Sequence, residues 1–358
     1  MPGLRLLQGL CLTLCTCGMA FAQPTPFDED AAQALFDGFA VQFPALNATV
    51  IVEGEIIWEA EGGSQRSPED SVNLDYNFYS IAKMLTGMAY ARLEHTSDLD
   101  IDQSVRAIDP SLPSRYDDVT LRQLLSHTAG VRHYRSDRDW VRFSNLRCET
   151  PSDALDHFID DRLANRPGRR HEYTTFGFTL LSHLLVVLTE TESFDEAMTA
   201  ALGEHYLALT DSDDALKATP YIEEDGEWVA HRELNAQCKF GGGGLIASSR
   251  DLARMGSALA AGEIVPTGQF GQLTAPFVTT RDEEVLYVYG MSAGFSQNFQ
   301  SNYAMHSGGS PGGRGYLNVI LDRDISVGLT GNADGPSLPN LAIGLARLAA
   351  GLELEQAE

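Results

Sequence analysis

The sequence predicts a mixed α/β (α+β) fold, in which an antiparallel sheet built from both ends of the chain is flanked by helices and encloses an inserted helical subdomain. Two observations predict it: β-type runs occur near both ends of the chain, and the stretch from about Leu99 to Leu209 carries helical patterns and prolines without clear strand alternation. With 358 residues, 43% of them hydrophobic, the chain is long enough to bury a full core.

The first predicted elements are a helix and a hairpin. Apolar residues recur at helical spacing from Asp28 to Phe43, which predicts a helix. The run from Thr49 to Ala60 is β-rich and is broken at Glu53 and Gly54, which predicts two strands joined by a tight turn.

Two later stretches are too apolar for solvated surface helices, so Ser80 to Leu93 and Tyr173 to Leu188 are expected to pass through the core. Near the end, Gly315 to Asn332 contains two β-type runs joined at Asp322 to Asp324. An amphipathic helix is predicted for Leu338 to Leu352.

The N-terminus has the pattern of a secretory signal peptide. Arg5 precedes an apolar run from Leu6 to Met19, and Ala20-Phe21-Ala22 forms an A-x-A cleavage site before Gln23. The run is short for a membrane-spanning helix, which needs about 20 apolar residues. We therefore expect residues 1–22 to be removed and residues 23–358 to form a periplasmic or extracellular domain with no stable membrane span.

Charge and cysteine content limit the partners and the covalent structure. The net charge of −25 disfavours binding to nucleic acid or to anionic membranes. After signal removal only Cys148 and Cys238 remain. Export would permit a disulfide between them, but two unpaired buried thiols remain an equally good interpretation, because the sequence does not supply their distance.

The sharpest chemical signal is Ser80-Ile81-Ala82-Lys83 at the start of an apolar helix. Helical residues three apart share a face, so the Lys83 amine is expected beside the Ser80 hydroxyl. A desolvated lysine has a lowered pKa and can take the proton of a serine nucleophile. The alternative is an N-cap serine with a surface lysine, but only three lysines exist in the chain and this one lies on an apolar helix.

Two further segments complete the candidate site. Tyr173 precedes the second apolar helix, where a phenol near the serine could relay a proton to a leaving group. His306-Ser307-Gly308-Gly309 is predicted on an edge strand or just after it. Glycines there would let the backbone approach a substrate and donate N–H groups to an oxyanion, although an ordinary glycine-rich turn is an alternative.

These motifs resemble those of the serine β-lactamase and penicillin-binding protein superfamily, in its class C-like (peptidase S12) branch. The resemblance rests on Ser80-x-x-Lys83, Tyr173-x-Thr175 and His306-Ser307-Gly308 in this order, and it extends over most of the chain after the signal. Further similar segments are Leu124 to Gly130 and Gly241 to Asp251. Tyr173 to Gly177 and Arg132-His133-Tyr134 are most similar to the LACTB-type serine β-lactamase-like proteins.

The resemblance implies that Ser80 forms an acyl-enzyme, that Lys83 and Tyr173 share acid and base duties, and that the N–H groups of Ser80 and Gly309 form the oxyanion hole. Substrate-binding residues would be Thr175, His306, Ser307, Gly308 and Gly309. Two departures weaken the case for strong β-lactamase activity: Thr175 stands where many members have Asn, and His306 stands where efficient β-lactamases have Lys.

The sequence thus predicts an exported serine hydrolase that acts on a small-molecule or peptide substrate, a cell-wall peptide among the candidates, without metal or cofactor. A true β-lactamase and a non-catalytic scaffold or filament-forming protein are the alternatives, and the oligomeric state stays open. Gly290-Met291-Ser292-Ala293-Gly294 matches the nucleophile elbow of α/β-hydrolases, but no acid lies between Ser292 and His306, so no triad can follow in that order.

Overall fold

The computed structural model describes residues 26–64, 74–210, 217–231 and 236–354, so the predicted signal peptide lies outside the described residues. Its helices are α1 (Glu29–Ala40), α2 (Ile81–Thr96), α3 (Val105–Ile108), α4 (Leu121–Leu125), α5 (Asp137–Ser144), α6 (Pro151–Leu155), α7 (Thr175–Thr189), α8 (Phe194–Leu202), α9 (Ser249–Ala260), α10 (Phe270–Thr274) and α11 (Pro339–Ala349). Short 3₁₀ helices occupy Ser114–Tyr116, Gly203–His205, Gln237–Gly242, Thr267–Gln269 and Leu321–Arg323.

The strands are β1 (Leu46–Val52), β2 (Glu55–Gly62), β3 (Tyr76–Asn77), β4 (Leu209–Thr210), β5 (Tyr221–Glu224), β6 (Glu227–Ala230), β7 (Leu245–Ala247), β8 (Phe277–Val278), β9 (Glu284–Val285), β10 (Tyr287–Val288), β11 (Met291–Ser296), β12 (Ser301–Ser310), β13 (Gly313–Ile320) and β14 (Ile325–Gly331).

The main sheet has seven antiparallel strands in the order β10-β11-β12-β13-β14-β1-β2. Strands β1 and β2 come from the start of the chain, and β1 pairs with β14 from its end on one side and with β2 on the other. This pairing confirms the predicted sheet built from both termini. Glu53 and Gly54 join β1 to β2 with φ angles of 50° and 80°. Two positive φ angles are typical of the two-residue turn that matches strand twist.

Helices cover both faces of this sheet. On one face α11 packs over β1, β13 and β14, and α1 packs against α11 and β2, around a core that includes Phe36, Trp58 and Leu345. On the other face α9 packs against β14 and β1, and the core continues into α2, α7 and α8. The sheet is therefore a middle layer, and α2 begins at its second face.

The helical subdomain predicted for about 99–209 corresponds to a region that contains α3 to α8 and meets its first strand, β4, at Leu209. The expected core helices are buried: in α2 every residue from Ile81 to Ala91 is buried, and α7 is buried from Thr175 to Ser182. Among the described residues, no helix combines the length and apolar character needed to cross a membrane.

A disulfide joins Cys148 to Cys238, with 5.3 Å between the Cα atoms. Cys148 follows α5, and Cys238 lies in the 3₁₀ helix Gln237–Gly242. The sequence left open whether these cysteines are bonded or are two free thiols, and the structure shows the bond. The disulfide links the end of the α5 region to the segment that lies beside α2.

Candidate active site

Ser80 lies directly before α2 on a strained turn. Tyr79 has a φ of 47°, a conformation that bulky residues rarely adopt, and its N–H donates to Asn77 Oδ1 at 2.9 Å. Ser80 holds the N-cap position of α2, yet within the described chain its side chain makes no capping hydrogen bond. The hydroxyl is therefore available to other partners. Ser80 occupies the N-cap position, but its side chain does not cap the helix.

Lys83 lies beside Ser80, as the three-residue helical spacing predicts. Its Nζ is 3.2 Å from Ser80 Oγ and donates to the carbonyl oxygen of Gly242 at 2.5 Å. The side chain is fully buried. Burial, and to a smaller extent the positive charge of Lys239, hold the pKa of the Lys83 amine well below its usual value.

The Tyr173 hydroxyl reaches the same serine. It hydrogen-bonds Ser80, and its ring centroid lies 4.9 Å from Lys83 Nζ. Burial raises the pKa of Tyr173 to about 12, although the bond with Ser80 acts in the opposite direction. His127 packs on the Tyr173 ring at 4.4 Å between centroids, and its Nδ1 accepts the N–H of Thr174 at 3.2 Å. His127 thus holds the tyrosine in place.

The second half of β12 faces Ser80. Strand β12 lies inside the sheet, so the expected edge strand is wrong for the strand as a whole. However, β11 pairs only with the part of β12 up to Met305, and from His306 onward β12 pairs on one side only, with β13. A Cβ on Gly308 would lie 1.8 Å from the Phe78 carbonyl oxygen, so this approach to Ser80 requires glycine.

His306 lines the cleft as an uncharged side chain. Its Nε2 lies 2.6 Å from the Tyr287 hydroxyl and its Nδ1 lies 2.5 Å from the Ser307 carbonyl oxygen. Burial, followed by the charge of Lys83, lowers the pKa of His306 to about 3. A neutral ring satisfies both contacts if Nδ1 donates to the Ser307 carbonyl oxygen and the Tyr287 hydroxyl gives its single proton to Nε2, and not to the Gly290 carbonyl oxygen 3.0 Å away. His306 therefore does not replace the positive charge of a lysine at this position.

Two pockets meet at Ser80, and both include Tyr173 and Gly309. The first, of about 320 Å³, is lined by Ser80, Tyr173, His306, Ser307, Gly308, Gly309, Arg314, Gly315, Tyr316, Ser337 and Leu338. The second, of about 250 Å³, is lined by Tyr79, Ser80, His133, Tyr134, Trp140, Tyr173, Thr175, Lys239, Gly242, Gly243, Gly309 and Ser310. Seven of the eight residues that the sequence singled out thus line these two pockets, and the eighth, Lys83, is buried beside Ser80.

Thr175 lines the second pocket, and its position there is fixed by burial and by a backbone hydrogen bond. It is buried as the first residue of α7, and its N–H donates to His133 Nδ1 at 3.3 Å. Burial, and then the charges of Lys83 and Lys239, lower the pKa of His133 to about 4. A neutral imidazole therefore stands next to the threonine on this side of the cleft.

Sequence reasoning missed several residues that line the cleft, among them Lys239, Trp140 and Arg314, and it also missed Tyr287, which contacts His306. Arg314 forms an ion pair with Asp334, and its Nε donates to the Gly335 carbonyl oxygen at 3.2 Å. The scarcity of lysine was a signal that could have singled out Lys239, since it is one of only three. No cluster of three or more metal-ligating side chains occurs in the described ranges.

The family model described as beta-lactamase matches residues 32–351. The human mitochondrial serine beta-lactamase-like protein LACTB is 23% identical over 332 residues, which cover 68% of this chain and 58% of that protein. The chain therefore spans somewhat more than half the length of this curated relative.

Two solved structures share the fold. A D-stereospecific amidohydrolase from Streptomyces sp. superposes with a TM-score of 0.71 at 20% identity, covering 88% of this chain and 98% of that chain. A penicillin binding protein from Bacillus halodurans also gives 0.71 at 20% identity, with 89% and 98% covered. At this identity the two likenesses concern the fold.

Proposed function

Because the chain belongs to the β-lactamase family, we propose that it is an exported serine hydrolase that works through an acyl-enzyme on Ser80. The observation that carries the proposal is the convergence of a buried amine and a half-buried tyrosine on one serine, with Lys83 Nζ 3.2 Å from Ser80 Oγ. Nucleophile and base within hydrogen-bond reach are the geometric requirement for this chemistry.

Lys83 acts as the base in the proposed mechanism. Burial lowers the pKa of the amine and so favours its unprotonated form, which keeps one N–H on the Gly242 carbonyl oxygen. Its lone pair then accepts the Ser80 proton while Ser80 Oγ forms a bond to the substrate's carbonyl carbon. The resulting oxyanion is stabilised by the N–H groups of Ser80 and Gly309, both of which line the two pockets.

Tyr173 acts as the acid. Its pKa of about 12 keeps the phenol protonated at neutral pH, so it donates to the leaving nitrogen or oxygen as the bond to the carbonyl carbon breaks. The Lys83 ammonium returns a proton to the phenolate. Water then attacks the acyl carbon while Lys83 takes one of its protons, and Lys83 passes that proton to Ser80 Oγ as the acyl bond breaks and the acid leaves.

The proposed substrates are amides, peptides and esters, in the manner of a peptidase S12 type carboxypeptidase or esterase. The name of the Streptomyces relative, an amidohydrolase, supports an amide substrate. A neutral His306 and a threonine at position 175 favour general acyl transfer over efficient hydrolysis of lactams. The disulfide supports export, because disulfides persist in oxidising compartments.

Labelling with activity probes tests the proposal. We expect a fluorescent fluorophosphonate to modify Ser80, located by mass spectrometry, and the Ser80→Ala variant to lose the label. Ser292→Ala is the matched control, since Ser292 belongs to the G-x-S-x-G segment on β11, and it should label like the wild type. A fluorescent penicillin, run in parallel, separates a penicillin-recognising enzyme from a general hydrolase. A folded protein that neither probe labels would favour the scaffold alternative.

The pH dependence follows from the same groups. We expect kcat/KM for a neutral ester to rise with pH through one ionisation, because protonated Lys83 is inactive and its pKa is lowered. The rate should then stay level to about pH 10, since Tyr173 loses its proton only near 12, and His306 titrates near 3, below the range. A falling limb near neutral pH would contradict these roles.

A further inference from the structure

The carbonyl group that binds Lys83 belongs to a strained backbone segment. Gly242 ends the 3₁₀ helix Gln237–Gly242, and inside that helix Phe240 has a φ of 43° and a ψ of −128°. A bulky residue rarely adopts a positive φ, and such a conformation persists only where surrounding contacts hold it. The contacts that hold this segment therefore also determine where the Gly242 carbonyl oxygen lies.

Helix α7 holds the segment through a buried serine. Ser182 is fully buried, and its Oγ accepts the Gly241 N–H at 3.0 Å. The same hydroxyl donates its proton to the Phe178 carbonyl oxygen at 2.8 Å, one turn earlier in the helix. Helix α7 thus fixes the N–H of the residue directly before Gly242.

Helix α2 holds the same glycine through a buried threonine. Thr86 lies on α2 after Lys83 and is fully buried. Its Oγ1 lies 2.9 Å from the Ala82 carbonyl oxygen and 3.2 Å from that of Gly241. The Ala82 oxygen already accepts the Thr86 N–H in the helical ladder, so the Gly241 oxygen is the acceptor that depends on the hydroxyl proton. A Cβ on Gly241 would lie 2.1 Å from Thr86 Oγ1 and 2.8 Å from Ser182 Oγ, so this fit between two helices requires glycine.

The Gly242 carbonyl oxygen controls the direction of the Lys83 lone pair. An unprotonated amine has two N–H groups and one lone pair, and rotation about its Cε–Nζ bond decides where each of them points. With one N–H on the Gly242 oxygen at 2.5 Å, the lone pair can be directed at Ser80 Oγ, which is 3.2 Å away. If that carbonyl were displaced, the amine could turn an N–H to the serine instead and would not accept its proton.

We propose that Thr86 and Ser182 are positioning residues for the reaction. Their hydroxyl groups hold the Gly242 carbonyl in the place where it orients the Lys83 amine. This inference rests on the proposed function, because it takes Lys83 as the base. Neither hydroxyl belongs to a residue that lines the two pockets, so their effect on the substrate passes through Lys83.

Substitutions that remove one hydroxyl at a time provide the test. Thr86→Val keeps the shape of the side chain, and Ser182→Ala removes the second hydroxyl. We expect each to lower kcat/KM for a neutral ester, and the rate constant for fluorophosphonate labelling of Ser80, roughly tenfold, because small displacements of catalytic groups can cost up to about 100-fold. Thr86→Ser keeps the hydroxyl and should retain most of the wild-type rate. Thr189→Val is the matched control: its hydroxyl donates to the Leu185 carbonyl oxygen at 2.8 Å in the last turn of α7, and the variant should react like the wild type.

The pH profile distinguishes a positioning role from a loss of folded protein. A carbonyl oxygen stabilises an ammonium more than a neutral amine, so displacement of the Gly242 carbonyl should lower the pKa of Lys83 further. The rising limb of kcat/KM should therefore move to lower pH in both variants, whereas a smaller folded fraction would lower the rate without moving the limb. The other titratable groups near Lys83 are unchanged in both variants: Lys239, Tyr173, His127, His133 and His306.

The two variants also distinguish failure of this inference from failure of the proposed function. Wild-type rates in folded Thr86→Val and Ser182→Ala proteins would overturn the inference and leave the proposed function standing. The inference fails equally if Thr86→Ser is as slow as Thr86→Val, since the loss would then come from packing. If circular dichroism shows that only one variant is folded, its rate decides, and if neither is folded the hydroxyls serve folding and the positioning role is rejected. A wild type that is not labelled at Ser80 and hydrolyses no ester refutes the proposed function and this inference with it.

Discussion

Replacing Lys83 by methionine is expected to lower kcat/KM by roughly 10³-fold or more, at the upper part of the range for loss of a general base. The variant keeps the length and apolar stem of the side chain but has no lone pair to accept the Ser80 proton. The amine is fully buried and lies 3.2 Å from Ser80 Oγ, so in the native structure bulk water has little access to take its place. Initial rates with a neutral ester across pH measure the loss, and the rising limb of the pH profile should disappear.

Lys217→Met is the control for this variant, since it removes the same charge outside the cleft and should retain wild-type rates. Far-UV circular dichroism and thermal unfolding must show that the Lys83 variant is folded. Methionine leaves the Gly242 carbonyl oxygen without its lysine donor, which costs about 1–3 kcal/mol, but it also removes a buried amine. Wild-type turnover in a folded Lys83→Met protein would refute the role of Lys83 as base.

The fold was predictable where local pattern and burial agree. The predicted helix from Asp28 to Phe43 is α1, and Asp28 caps it by accepting the Ala31 N–H at 2.9 Å. The turn at Asp322 to Asp324 joins β13 to β14, with Asp324 at a φ of 48°. Such turns are encoded by a few adjacent residues, so the sequence alone predicts them.

The position of β12 was less predictable because it depends on where a partner strand stops. Nothing near His306 encodes that β11 pairs only as far as Met305 and leaves the remainder of β12 facing Ser80. The glycines after His306 predict that the backbone can approach another segment closely. The strand register, however, is decided by contacts between segments that are distant in the sequence. From His306 onward β12 does have one unpaired edge, as an edge strand would. The strand as a whole, however, lies inside the sheet.

The candidate site likewise contains residues that the local sequence predicts and residues that it does not. Ser80 and Lys83 are three residues apart on one helix, so helical geometry alone places them together. Lys239 lines the cleft, and Tyr287 contacts the cleft residue His306; both come from segments far from α2, and each is an ordinary residue in its own local sequence. Their contribution depends on charge and burial in three dimensions, which no local pattern contains.

Removal of the disulfide is the second large expected effect. The bond between Cys148 and Cys238 closes a loop with a sequence separation of 90 residues, and cross-links of this length destabilise the unfolded chain by about 4.6 kcal/mol in the chain-entropy model. We therefore expect the double variant Cys148→Ala and Cys238→Ala to lower the free energy of unfolding by about that amount. Urea unfolding followed by tryptophan fluorescence measures it.

Reduction provides the internal control for this prediction. Dithiothreitol should destabilise the wild type to the level of the double variant and should leave the double variant unchanged. Because Cys238 directly precedes Lys239, and Cys148 follows the helix that carries Trp140, loss of the bond should also loosen this wall of the second pocket while hydrolysis of neutral esters continues. If the double variant unfolds at the same urea concentration as the wild type, then the packing around α5 and the Gln237–Gly242 segment, and not the covalent bond, holds this side of the cleft together.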